Sequence, residues 1–187
     1  SGHAVFRDAA VNTQLKRVLN AWCDFLGGPH SRAHLDTSPP DGWFCDEARK
    51  RLGLSQFQYR EDQPHWGFDS WNDFFTRRFR DGARPVAAPD DPHVIVSACE
   101  ASPYHTETNV KLRDNFWIKA QPYSLRDLFT PAWLSLAERF VGGDVYQAYL
   151  SAYNYHRWHA PVRGVVTHAY RIDGAYYSVA EAEGPDP

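Results

Sequence analysis

Apolar residues recur at three- and four-residue intervals near the front of the chain: Val11, Leu15, Val18, Leu19, Trp22, Phe25 and Leu26. That spacing puts them on one face of a helix. Asn12 or Thr13 is placed to cap its start, and Gly27-Gly28-Pro29 to stop it. A loop follows through Pro40, and residues 43–52 read as a second short helix closed by Gly53. Ser70-Trp71-Asn72-Asp73 opens a third, with Ser70 as cap and Asp73 as the acidic partner three positions on. Trp71, Phe74, Phe75 and Phe79 fall on one side of it. From Val94 onward the period shortens. Residues 94–96, 145–150, 164–172 and 175–179 predict strands, with Asp173-Gly174 as a two-residue hairpin turn. Residues 125–129 and 131–139 predict short helices. The pattern specifies an α+β fold: an N-terminal helical segment, then a mostly antiparallel β core whose remaining strands must come from elsewhere.

Composition narrows the function classes. With 187 residues and 43% hydrophobic content the chain supplies one core, or one core with a helical extension. The expected organisation is a helical region over 1–65 and a core region over 66–187 that is incomplete at its C-terminal end. A net charge of -3 provides no field for a polyanion, so no nucleic-acid partner is expected. No run approaches the roughly 18 apolar residues of a membrane span. The aromatic set Trp22, Phe25, Trp43 and Phe44 reads as packing surface. A helix lying on a bilayer carries basic residues opposite its apolar face, and the first helix has only Lys16 and Arg17 there. Cys23, Cys45 and Cys99 form an odd, scattered set, which points to a reducing, cytoplasmic setting. The chain has no Met, Ser1-Gly2 resembles the scar of tag removal, and residues 181–187 read as a loop cut open. These features predict one piece of a larger protein.

Two imidazoles three residues apart supply the candidate chemistry, in Tyr155-His156-Arg157-Trp158-His159-Ala160-Pro161. In one helical turn the rings of His156 and His159 share a face; in an extended strand they point to opposite faces. Pro161 ends any turn that carries them. A chain with nine histidines also places some of them structurally. Glu100 with both histidines would make a two-His, one-carboxylate metal set, but two His in one turn are common without metal, and no metal is expected. Arg77, Arg78, Arg80 and Arg84 gather near the end of the third helix, where cations suit the dipole. The alternative is a clamp for a carboxylate or phosphate.

Four collinear segments carry a resemblance to a known family. The histidine segment, extended through Val162-Arg163-Gly164, resembles the histidine motif of the phosphatidylserine decarboxylase family, whose members carry a self-made pyruvoyl group. Phe74-Phe75-Thr76-Arg77-Arg78-Phe79 followed by Gly82-Ala83-Arg84-Pro85-Val86 is similar to its aromatic-basic helix and Gly-x-Arg-Pro turn. Val94-Ile95-Val96-Ser97-Ala98-Cys99-Glu100 resembles the strand leading to the catalytic carboxylate, and Tyr123-Ser124-Leu125 a short segment that opens a helix. The match runs from about Trp66 to Val179. Where the commoner pattern has Asp then Gly, this chain has Glu100-Ala101, preceded by Cys99. That variant, the helical front end and Pro64-His65-Trp66-Gly67-Phe68 resemble the soluble fungal-type L-tryptophan or aromatic amino acid decarboxylase branch.

The resemblance implies a carboxy-lyase. Removing an α-carboxylate leaves an electron pair that no side chain accepts well, so an imine-linked cofactor is needed. Lys16, Lys50, Lys111 and Lys119 sit in no phosphate-binding setting for pyridoxal phosphate. In the resembled family a serine attacks the preceding peptide carbonyl, the ester eliminates, and a ketone remains at the new N-terminus. By position, His159 is the base for that self-cleavage, Glu100 the carboxylate that orients it, and His156 a group at the substrate. Trp117 and Tyr177 offer aromatic lining for a substrate pocket, though aromatics in strands are commonly core. No Ser here lies in the Gly-Ser setting of the cleavage site, so the pyruvoyl serine is expected outside this chain. The chain then corresponds to the β-type chain or a fragment of it, inactive alone, with an α-type chain from the same precursor as partner and a free aromatic amino acid as substrate. Phosphatidylserine decarboxylation, and a non-catalytic relative that keeps the fold for binding, are the alternatives.

Overall fold

A computed structural model describes residues 5, 6, 8–114, 116–118 and 121–177. The chain divides into two compact units. One comprises residues 1–13, 102–149 and 174–187; the other comprises 14–101 and 150–173. Helix α1 spans Ala9–Gly27, and its end at Gly27 matches the Gly-Gly-Pro signal. Its start differs from expectation. Asp8, not Asn12 or Thr13, caps it: the Asp8 carboxylate accepts the N–H groups of Ala10 and Val11 at 2.9 and 3.0 Å. No residue of α1 is buried, so its apolar stripe is not core. Trp22 and Phe25 are exposed and stack on each other at 5.3 Å, whereas Trp43 and Phe44 pack inside. The aromatic set is therefore two separate features.

In the unit containing residues 14–101, a 3-10 turn at Pro29–His34 precedes α2 (Asp46–Leu52) and α3 (Trp71–Phe75). Residues 43–45 lie ahead of α2 rather than within it. Gly53 closes α2 with φ 57°, a left-handed conformation that lets its N–H reach the carbonyls of Arg49 and Lys50. Ser70 caps α3 by accepting the Asp73 N–H at 3.0 Å. Asp73 does not complete a strict capping box; it accepts the N–H of Asp69 at 3.1 Å. Between these short elements lies an aromatic core of Leu35, Phe44, Leu52, Leu54, Phe57, Trp66, Phe68, Phe74 and Tyr155. Phe44 stacks on Trp66 at 4.2 Å and meets Phe74 edge-on at 5.6 Å. Truncating one such ring typically costs about 3–5 kcal/mol, so these contacts outweigh the short helices' own propensity. Ser31, buried, fixes the approach of α3: its hydroxyl lies 2.6 Å from the Gly28 carbonyl and accepts the Trp71 N–H at 2.8 Å.

The other unit holds the regular strands. β1 (Ser102–Glu107) pairs antiparallel with β4 (Val145–Tyr149), and β2 (Phe116–Ile118) with β3 (Gln121–Tyr123). α4 (Leu125–Phe129) starts at a capping box in which Asp127 accepts the Ser124 N–H at 2.9 Å. The expected helix over 131–139 is three short pieces, with α5 (Leu134–Ala137) between 3-10 turns at Pro131–Trp133 and Glu138–Phe140. Val110, Leu125 and Ala137 form its core. The chain is thus α+β.

Among the described residues, the expected strands at 94–96 and 164–172 do not form: both segments are irregular. Of the expected strand at 175–179, residues 175–177 are irregular and 178 and 179 lie outside the described part. Residues 173–174 close no hairpin. Val165 and Val166 are 87% and 83% exposed. A strand needs a partner to take its N–H and C=O groups, and no described segment pairs with 164–172. No helix of the described residues is long and apolar enough to cross a membrane.

Candidate active site

The segment before Glu100 and the segment after Tyr155 run antiparallel. Val96 donates its N–H to the Pro161 carbonyl at 3.0 Å, and His159 donates to the Ala98 carbonyl at 2.7 Å. Pro161 has no N–H to return the bond, which keeps this pairing short of a full ladder. Residues 155–160 form no helical turn. The expectation that a helical turn carries both histidines is corrected: His159 is tied to the segment before Glu100 by its main chain, and the two rings face different surroundings.

His159 faces a cavity of about 550 Å³ whose polar lining includes Arg84, Cys99, Glu100 and Tyr155, with Val94 and Ile95 among its apolar residues. His156 does not line it; its ring packs on Phe75 at 4.3 Å. Its Nδ1 lies 2.9 Å from the Asn154 carbonyl. A carbonyl only accepts, so Nδ1 carries the proton and Nε2 is left as the basic nitrogen. The His159 ring stacks on Tyr155 at 5.6 Å, with Nε2 3.0 Å from the Tyr155 hydroxyl.

Glu100 reaches His159 indirectly. Its Oε2 accepts the Tyr155 N–H at 2.9 Å, its Oε1 pairs with the Arg84 guanidinium, and its main-chain carbonyl accepts from Asn154 Nδ2 at 2.9 Å. Tyr155 is buried against Phe57 and Phe79, 6.0 and 4.2 Å away, so the carboxylate anchors the main chain of the residue whose hydroxyl meets His159. Arg84 is itself held: Nε donates to Gln56 Oε1 at 2.8 Å and the guanidinium lies over Phe79 at 5.1 Å.

The arginine cluster is not a solvated helix end. α3 stops at Phe75, before any of these residues. Arg77 is buried, 3% exposed, with Nη2 donating to the Tyr153 carbonyl at 3.0 Å and the guanidinium 4.4 Å from the Phe57 ring centre. Burial pushes its pKa down, and the charge of Glu100 works the other way. Arg157 completes a reciprocal clasp, donating from Nε to the Thr76 carbonyl at 2.6 Å.

The remaining expected residues lie in the other unit. Trp117 belongs to β2, and its side chain is outside the described part. Tyr177 is half-exposed and meets Phe6 edge-on at 4.7 Å. Tyr155, Asn154 and Arg84 are functional neighbours that spacing did not single out. Tyr155 adjoins the histidines, and Arg84 sits in the Gly-x-Arg-Pro turn. Their contacts join residues far apart in the sequence or use main-chain groups, and neither leaves a trace in side-chain periodicity.

Comparison with known proteins decides the family. Two family models, both described as phosphatidylserine decarboxylase, match residues 71–185 and 1–52. The chain belongs to the phosphatidylserine decarboxylase family. Among similar proteins, decarboxylase iboD of Amanita muscaria is 38% identical over 98% of this chain and 54% of its own length. The L-tryptophan decarboxylase of Psilocybe cyanescens is 32% identical over 96% of this chain and 44% of its own. A phosphatidylserine decarboxylase proenzyme of Clostridium novyi is 33% identical over 74% of this chain and 48% of its own. The chain therefore spans about half the length of the relatives it matches.

Proposed function

We propose that this chain is the β-type part of a pyruvoyl-dependent decarboxylase of a free aromatic L-amino acid, formed when a precursor cleaves itself at a serine outside this chain. The observation that carries the reading is the single cavity shared by Glu100, Tyr155 and His159. Its size lies within the about 300–1,000 Å³ of small-molecule sites. The amino acid substrate class is supported by the two fungal relatives, which align over nearly the whole chain, helical front end included. Proenzyme relatives support the two-chain organisation, and the exposed Val165 and Val166 are apolar surface that strands from an α-type chain would cover.

The donor set fits a small keto-acyl group, because one cavity offers a basic nitrogen, a phenol, a guanidinium and a carboxylate. A bound pyruvoyl group supplies a carbonyl that takes up the electron pair released with carbon dioxide. His159 takes the proton from the precursor's serine hydroxyl, the role of a base held by an acid. Tyr155 holds the ring, and Glu100 anchors Tyr155 and offsets the charge His159 gains. Arg84 keeps Glu100 in place and faces the substrate carboxylate. His156, with Nδ1–H fixed on the Asn154 carbonyl, has Nε2 free to take up a proton and return it to the substrate's α-carbon.

The test uses the full-length precursor. His159→Ala abolishes cleavage into two chains, read by intact mass; cleavage at the normal rate removes His159 from the role. His156→Ala matures but releases carbon dioxide from tryptophan, phenylalanine and tyrosine at least about a hundredfold more slowly, the scale of a lost proton-transfer group. Phosphatidylserine decarboxylation is the second reading, favoured by the Clostridium novyi relative. Ethanolamine-lipid formation from phosphatidylserine vesicles, without turnover of free amino acids, would establish it instead.

A further inference from the structure

Five guanidinium groups meet at a second cavity, of about 470 Å³, that shares no lining residue with the Glu100–His159 cavity. Its cations are Arg60, Arg77, Arg78, Arg80 and Arg157, and its single carboxylate is Asp73. None of the five makes an ion pair among the described residues. Asp73 Oδ2 is engaged by the Asp69 N–H. Five guanidinium groups against one carboxylate give the cavity lining an excess of about four positive charges; Glu100 also acts on Arg77, but that carboxylate is paired with Arg84 outside the cavity.

Arg80 and Arg157 are held in position by bonds from Nε, which leave their outer nitrogens available. Arg80 donates from Nε to the Phe57 carbonyl at 2.7 Å and lies over the Tyr59 ring at 4.9 Å. Arg157 likewise spends Nε on the Thr76 carbonyl. Arg60 lies against the backbone of Gly67, where a Cβ would come within 2.8 Å of its Nε. Arg77 is buried at the inner side, and its Nε is a buried nitrogen with no hydrogen-bond partner. Like charges gathered without counter-charge repel, and an uncompensated buried cation adds a desolvation cost. A multiply charged anion in the cavity offsets both at once. Guanidinium forks match phosphate oxygens in pairs, which ammonium groups do not. A zwitterionic amino acid fits poorly, because it brings no net negative charge and its ammonium is repelled.

We propose that this cavity is a binding site for a phosphate monoester dianion, from a soluble phosphorylated compound or from the headgroup of a phosphomonoester lipid. Arg77 and Arg157 clasp the main chain of residues 153–157 and 76, so the anion sits on the two guanidiniums that hold the segment leading to His156 and His159.

The experiment is calorimetric titration of the full-length protein with inorganic phosphate, beside co-sedimentation with phosphatidylcholine vesicles with and without phosphatidic acid. Neither readout depends on turnover, so it stands apart from the decarboxylase reading. Saturable phosphate binding that weakens about tenfold in each of Arg60→Gln and Arg78→Gln supports the site, the scale expected for one charge-assisted contact. Both residues are exposed, and an unchanged thermal midpoint verifies that the variants fold. Binding confined to phosphatidic acid vesicles and weakened in both variants supports the same site with a lipid source. Absence of saturable binding to either probe, or equal binding by wild type and both variants, overturns the proposal.

Discussion

Tyr155 concentrates the residue-scale argument, because one side chain and one N–H serve two different site residues. Its hydroxyl meets His159, and its main chain is held by Glu100. Tyr155→Phe keeps the ring packed among Phe57 and Phe79 but removes the hydroxyl. The expected outcome in the full-length precursor is self-cleavage slowed about tenfold, the order of one lost hydrogen bond at about 1.4 kcal/mol, with the thermal midpoint little changed. Time-resolved intact mass checks it, and an unaltered cleavage rate would mean that His159 is oriented by something else. The Arg84–Glu100 pair is weighed differently. Both side chains are partly exposed, so solvent screening limits its stabilising value to about 1 kcal/mol or less, and its importance lies in geometry. The identity of Glu100, His156 and His159 as candidates was legible from motif context. Their partners were not, since Tyr155 N–H and the Asn154 carbonyl are main-chain groups that every residue possesses.

At the scale of elements, several ends set by local signals were read correctly, whereas the starts of α1 and α2 were misplaced. The end of α1 at Gly27, the Ser70 cap, the extent of α4 and the Gly53 closure of α2 depend on residues within a turn of each other. Gly53→Ala places a Cβ on a residue at φ 57°, and the expected loss is about 1 kcal/mol in a denaturant melt. A substitution that leaves the melt unmoved would show that the α2 terminus relaxes at no cost. Strand expectations failed for a non-local reason. The run 164–172 has the β-branched content of a strand, yet a strand is stable only with a neighbour to bond. The histidine segment shows the converse: main-chain bonds to residues 96 and 98 hold it where spacing alone allowed a helical turn, and no turn forms.

The whole molecule is organised by contacts that join distant parts of the sequence. Residues 102–149 interrupt one compact unit in sequence and belong to the other. Tyr155 packs into a core built otherwise from residues 35–74, which brings the histidine segment to the residues before Glu100. Hydrogen exchange tests the incompleteness of the sheet. Amides of the exposed Val165 and Val166 are expected to exchange freely in this chain alone and, if an α-type chain supplies strands, to gain protection in the full-length protein; free exchange in both would argue against a shared sheet. Taken by itself, the sequence determined the α+β class, several helix ends and the residue types able to carry acid–base chemistry, because caps and periods depend on neighbours in the chain and acid–base capacity on side-chain type. Tertiary structure alone decided which of those residues meet. It put His159 and Glu100 on one cavity and His156 against Phe75, buried Arg77, and gathered five arginines around one carboxylate, because burial and long-range main-chain bonding depend on how the chain returns on itself.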